Sequence, residues 1–324
     1  MSKYLVTGAT GFLGAHLVGV LKAHGHEVVG FSRESGGDVL DPAAVRGAAA
    51  GCVAAFHCAG KVSRKLADAE EMYRLHVEGT KNVVDACSRE NVKRVVVAST
   101  SGTVAVSEAP GRVAREDDPT PIDLVSRWPY YRAKLFAERA AFERGRPGFD
   151  VVCVNPSLIL GPGDLRGSST GDVGLFLEGA IPLVFAGGLS FVDVRDAAEA
   201  MRLAMDRGKA GERYLVGACN LTIREFFGRL ARVSGVRPPV VPMPMSRGAT
   251  RVGAQWMQRL WSRVGLNAPI DPVAAEMAQC FWYVDSSKAE RELGWSPRDP
   301  NETLHDTVQD LRARGVVWPA AAAR

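Results

Sequence analysis

A chain of 324 residues that is 46% hydrophobic carries enough apolar side chain for a large core, at a length typical of about two domains. Its 40 basic and 36 acidic residues leave a formal charge of +4 with no dense Lys/Arg run, so charge gives no sign of a nucleic-acid partner. The six cysteines form no C-x-x-C pair and have no histidine at metal-ligand spacing, which excludes a disulfide-stapled scaffold and a zinc site and predicts reduced thiols.

Residues 4–6 are the first predicted strand, 12–24 a helix and 27–31 a second strand. Residues 53–57 supply another strand, 69–89 a long helix and 94–98 a β-branched strand of the kind buried on both faces. Residues 129–144 read as a helix, and 151–154 as a strand that stops at Asn155-Pro156. This alternation predicts repeated βαβ units and a doubly wound parallel sheet, the Rossmann α/β class. Residues 161–190 are rich in Gly, Pro and Ser, so loops are expected there. The domain reading is a dinucleotide-binding domain at 1–160, rejoined by 190–217 through 191–194 and 213–216. Most of 161–324 is then a smaller substrate-binding domain. Met1-Ser2-Lys3 passes at once into apolar residues, which reads as no signal peptide, and no stretch has the roughly 18 apolar residues of a membrane span. The expectation is a cytoplasmic protein with no transmembrane segment.

The first strand ends in Thr7-Gly8-Ala9-Thr10-Gly11-Phe12-Leu13-Gly14. Gly8 suits a tight turn, Gly11 a close approach to pyrophosphate and Gly14 close packing of helix on sheet. The helix N-terminus then offers free N–H groups and a favourable dipole to the anion. At the end of the second strand, where an acid would hold the ribose of NAD(H), the chain has Ser32-Arg33. A hydroxyl and a guanidinium suit a 2′-phosphate, so NADP(H) is favoured over NAD(H), although adjacent Glu34 keeps a ribose contact open. Asp38 is a candidate for the adenine or a turn cap, and Ala59-Gly60 for a turn passing under the cofactor.

Tyr130 and Lys134 lie four residues apart on one helix face. A phenol with an ordinary pKa near 10 is a poor proton donor or acceptor at neutral pH, and an ammonium beside it stabilises the phenolate. Thr100 and Ser101, at a strand end, each offer a hydroxyl to orient a carbonyl. The residues leave open which of the two acts.

On these motifs the chain resembles the extended short-chain dehydrogenase/reductases: Thr7 to Gly14 matches their Thr-Gly-x-x-Gly-x-x-Gly, Tyr130 and Lys134 their catalytic pair, and Thr100/Ser101 their active-site hydroxyl. Glu78-Gly79-Thr80, Asn155-Pro156-Ser157, Gly161-Pro162, Phe191 to Val194, Ser287 to Ala289 and Leu293 to Trp295 also fall at family positions. The resemblance implies cofactor contacts at Asn155, Pro156 and Ser157, and a homodimer, since dimers are common in that family. It is closest to the dihydroflavonol-reductase-like branch, which includes proteins labelled hopanoid-associated sugar epimerases. Sugar dehydratases of the family follow the hydroxyl with Asp-Glu, and the nucleotide-sugar epimerases show Val-Tyr-Gly just after. This chain has Gly102-Thr103 and Val104-Ala105-Val106, which favours carbonyl reduction. His76 stands where the family commonly has asparagine, and Asp193 where relatives often carry histidine; both read as packed, structural residues.

Residues 246–266 form a basic amphipathic stretch with Trp256 and Trp261 on its apolar face. It suits packing within its own domain, covering an apolar substrate, or peripheral contact with an anionic membrane. Three functions follow: an NADP(H)-dependent reductase of an apolar or polycyclic small molecule, a nucleotide-sugar epimerase with tightly held NAD, and a cofactor-binding regulatory protein without turnover.

Overall fold

The computed structural model describes residues 2–181, 183–242 and 272–317. Six strands, Lys3–Thr7, Glu27–Phe31, Ala54–His57, Arg94–Ala98, Asp150–Pro156 and Arg213–Val216, form one parallel sheet. Across the sheet they run second, first, third, fourth, fifth, sixth. The direction of winding reverses on either side of the first strand. The crevice beyond the carboxyl ends of the first and third strands is therefore the switch point where doubly wound sheets bind ligands.

Apolar, β-branched strands are stable here because helices cover both faces. On one face Leu17 and Leu21 of helix Phe12–Ala23 and Met201 of helix Val194–Arg207 pack with Tyr4, Phe56 and Val152. On the other, Val45, Val83, Val84 and Ala141 from three helices pack with Leu5, Val95 and Val151. A second sheet has Gly188–Asp193 at its centre, with Leu158–Leu160, Cys219–Thr222 and Phe281–Val284 beside it. Its core gathers Phe176, Phe191, Phe227, Leu230, Leu304 and Leu311.

Three details differ from the sequence reading. Residues 191–194 do not return to the main sheet, because Gly188–Asp193 pairs within the second one; the return begins with helix Val194–Arg207 and strand Arg213–Val216. Asp193 makes that corner: fully buried, it caps the helix through the Arg195 N–H and pairs with Arg195 and Arg298. Late in the chain, Ala289, Leu293 and Trp295 pack into the main sheet's core rather than with the smaller lobe. The predicted helix at 69–89 is three pieces, Ala69–Tyr73, a π-turn Arg74–Glu78 and Gly79–Arg89. No helix among the described residues is long and apolar enough to cross a membrane. The amphipathic stretch 246–266 lies outside the described residues.

Candidate active site

The glycine loop is shaped by what a side chain would strike. Gly8 has a φ of +70°, and a Cβ there would sit 2.6 Å from the Ala59 nitrogen. A Cβ on Gly14 would lie 2.1 Å from the Gly8 carbonyl oxygen. Gly11 begins helix Phe12–Ala23 with no side-chain cap, which leaves N–H groups of its first turn, at Phe12 and Leu13, to an outside acceptor. Thr10 is exposed at the lip of the loop. A concave, backbone-walled cradle at an uncapped helix N-terminus fits the diphosphate of a dinucleotide. Gly14→Ala has no flexible neighbour to displace, so it should lower cofactor affinity at least about tenfold, 1.4 kcal/mol, in a fluorescence titration. Unchanged affinity would mean the loop is not the diphosphate seat.

At the end of the second strand, Ser32 is buried and its hydroxyl accepts from the Ser35 N–H, in a reciprocal capping box over a short helical turn. Its side chain is thus committed locally, whereas the guanidinium of exposed Arg33 has no hydrogen bond or ion pair among the described residues, only its carbonyl accepting from the Gly36 N–H. Asp38 accepts from the Leu40 N–H at 2.9 Å, so its carboxylate caps a turn. Ala59 lies against Gly8, and Gly60 against the His76 ring. Beneath them runs a buried relay the sequence reading missed: the Thr7 hydroxyl is 2.7 Å from His57 Nδ1, and His57 Nε2 is 3.0 Å from the Thr80 hydroxyl. Burial pushes the His57 pKa down to about 3, so it stays neutral.

Tyr130 and Lys134 occupy the first turns of helix Pro129–Phe142, which starts with proline at its first position. Burial raises the Tyr130 pKa, and a hydrogen bond with the Thr100 side chain partly opposes the rise. Lys134 Nζ donates to the Ala98 carbonyl at 2.7 Å, and burial lowers its pKa to about 8. The expected effect of the ammonium is not among the influences on the phenol, which burial and Tyr131 keep protonated at neutral pH. Thr100 meets Tyr130, while Ser101 is buried at the start of the next turn. His76, on the π-turn, is 1% exposed, holds the Lys61 carbonyl through Nε2 at 2.8 Å and packs edge-to-face on Tyr130. Its pKa, pushed by burial down to about 3, gives it no proton to exchange near neutrality.

Glu138, also missed, follows Lys134 on the same helix face and is completely buried. It accepts from the Ser99 hydroxyl at 2.5 Å and from Asn155 Nδ2 at 2.6 Å, and Arg213 pairs with it at 2.9 Å. Asn155 Nδ2 also donates to the Thr100 carbonyl, so this amide braces the strand end carrying the hydroxyls. Asn155 Oδ1 and the buried Ser157 hydroxyl have no partner among the described residues, and Pro156 is buried between them. The spacing 130, 134, 138 was the signal that could have found Glu138.

Beside Tyr130 stands an aromatic wall. Tyr131 stacks on Trp282 at 4.8 Å, Trp128 lies 5.3 Å from Trp282, and Tyr130 and Tyr131 meet edge-to-face at 5.0 Å. A Cβ on Gly102 would fall 2.2 Å from the Tyr131 ring, so the wall reaches the residue next to Ser101. The buried indole N–H of Trp128 has no partner among the described residues.

A glycine cradle at a Rossmann switch point, with a tyrosine and lysine from a neighbouring helix, defines a nicotinamide-dinucleotide-dependent oxidoreductase. A profile of the NAD dependent epimerase/dehydratase family matches residues 4–217, and the chain belongs to that family, within the extended short-chain dehydrogenase/reductases. It is 31% identical to sterol demethylase protein B of Methylococcus capsulatus, covering 97% of this chain and 99% of that one. It is 28% identical to a 4-hydroxy-2-methyl-3-oxo-4-farnesyl-3,4-dihydroquinoline-1-oxide ketoreductase of Stigmatella aurantiaca, over 97% of each. The crystal structure of gox2253 superposes with a TM-score of 0.81 at 27% identity, covering 98% of this chain and all of that one.

Proposed function

We propose that the protein reduces a ketone or aldehyde on an apolar, polycyclic small molecule with NADPH. The observation that carries this reading is the placement of Tyr130 one helical turn before Lys134, whose Nζ is held by the Ala98 carbonyl, with the Tyr130 ring beside a wall of Tyr131, Trp282 and Trp128. The bound reduced nicotinamide supplies the hydride. Thr100 holds the substrate's carbonyl oxygen by hydrogen bond, with Ser101 behind it. Tyr130 delivers its proton to that oxygen, and Lys134 sustains the phenolate left behind until solvent reprotonates it.

The substrate class follows from the wall. The partly exposed aromatic faces of Tyr131 and Trp282 offer a flat apolar surface, backed by the buried Trp128. Two relatives carry names that refer to a sterol and to a quinoline, both fused-ring molecules. Gly102, whose side-chain space Tyr131 fills, leaves no acid after Ser101 for water elimination. The cofactor choice rests on Arg33, exposed at the adenosine rim with its guanidinium uncommitted among the described residues. Asn155, Pro156 and Ser157 would flank the nicotinamide, and the cradle from Gly8 to Gly14 would hold the diphosphate.

The test is to purify the protein without added nucleotide, identify any retained cofactor by mass spectrometry, and titrate NADPH and NADH into the empty fraction. Wild type should bind NADPH at least about tenfold more tightly, 1.4 kcal/mol, and Arg33→Ala should lose most of that difference. Retained NAD(H) that NADPH fails to displace would overturn the reading in favour of an epimerase.

A further inference from the structure

Residues 161–172 leave the second sheet, cross to the cofactor domain and come back. Both ends are anchored in the smaller lobe: the Gly161 N–H donates to the buried Thr307 hydroxyl, and helix Gly171–Leu177 inserts Val173, Phe176 and Leu177 into that lobe's core. The middle is stiffened from within by Asp164, 1% exposed, which accepts from the N–H groups of Ser168, Ser169 and Thr170.

Three contacts trace its path. Gly163 faces the ring of His16, one turn into the helix that begins at the glycine cradle. Arg166 pairs with Glu34, beside Arg33 on the adenosine rim, at 2.5 Å. Asp172 takes a two-pronged contact from Arg64, on the loop that follows Gly60, and the charges of both are felt at the Tyr131 hydroxyl. The segment therefore touches the rim beyond the second strand, the helix behind the first, and the loop beyond the third near the catalytic helix. A dinucleotide lying along the carboxyl ends of those strands passes beneath it.

We propose that residues 161–172 are a strap that closes along the bound dinucleotide, latched by Arg166 to Glu34 at the adenosine end and by Asp172 to Arg64 at the active-site end. The anchors are buried packing and the latches are exposed ion pairs: the paired side chains are 62% and 58% exposed at one end, 38% and 45% at the other. Arg166 lies between the anchors and swings with the strap, whereas Asp172 lies in the first turn of the anchoring helix, so at that end the Arg64 loop swings away from it. The strap thus opens at its latches while its ends stay folded, the low-stability behaviour expected of a lid. Cofactor exchange requires that opening, so its rate depends on salt.

The test compares wild type with Arg166→Gln, Asp172→Asn and the double variant by stopped-flow release of NADPH, with NADH in parallel. Each exposed pair is expected to change release up to about fivefold, with the two factors multiplying in the double variant. Release from wild type should quicken as salt rises to about 0.5 M, and less so from the double variant. Hydrogen exchange in residues 161–172 should slow when NADPH binds. Wild-type release rates in the double variant, or exchange unaffected by cofactor, would overturn the strap. An acceleration confined to NADPH would also overturn it, since Arg166 would then be a phosphate ligand rather than a latch. The strap does not require the 2′-phosphate, so equal affinity for NADPH and NADH would sink the cofactor preference proposed above and leave this inference standing.

Discussion

Tyr130→Phe should lower kcat for carbonyl reduction by about 10²- to 10⁴-fold, the usual worth of a positioned proton donor. The substitution removes only the hydroxyl. The ring that packs against His76 and Tyr131 stays, so cofactor affinity by titration should hold within about twofold, well under 1 kcal/mol. The pH profile sharpens the test. Burial raises the Tyr130 pKa, so the donor is already protonated throughout the neutral range and gives no falling limb there. Lys134 is lowered to about 8, and as pH rises through that value the ammonium becomes a neutral amine. Reduction by wild type is therefore expected to be level below pH 8 and to fall above it. Full activity in Tyr130→Phe would remove the phenol from the mechanism, and activity climbing through pH 8 would remove the charged lysine.

Glu138→Ala should cost about 3 kcal/mol of stability in urea denaturation, at the lower end of the range for breaking a buried ion pair. The lower end applies because the Arg213 side chain is 21% exposed and water relieves part of its lost pairing. Ser99 and Asn155 lose an acceptor in the same step, and Asn155 Nδ2 also holds the Thr100 carbonyl. Turnover should consequently fall more than substrate KM rises, since the orienting hydroxyl shifts while the aromatic wall does not. Glu138→Gln keeps an acceptor for Ser99 and should recover part of both losses. A stability change under about 1 kcal/mol would mean that desolvating the carboxylate offsets its bonds.

The aromatic wall shows why contact-built features are hard to read from a chain. Trp128, Tyr131 and Trp282 are conspicuous residues, yet Trp282 is some 150 positions from its partners and enters through a strand of the second sheet. Period and spacing report on neighbours within one element. They carry no information about which distant element packs there. His76 is similar: its position on a helix was legible, but the π-turn that seats its ring on Tyr130 and Gly60 was not, because one residue added to one turn leaves the apolar pattern nearly unchanged.

The sequence by itself determined the parallel doubly wound sheet, the glycine cradle after its first strand and the Tyr130–Lys134 pair on one helix face. Each is a local pattern: alternating runs, three glycines at fixed spacing, and two side chains four residues apart. Only the tertiary structure decided that Gly188–Asp193 belongs to a second sheet, that Glu138 braces Ser99 and Asn155 from below, and that residues 161–172 reach both rims of the crevice. Those depend on pairings between segments far apart in the chain, 132 positions for Glu34 and Arg166 and 146 for Gly161 and Thr307. Such pairings are set by the packing of whole layers, after the local patterns have been satisfied.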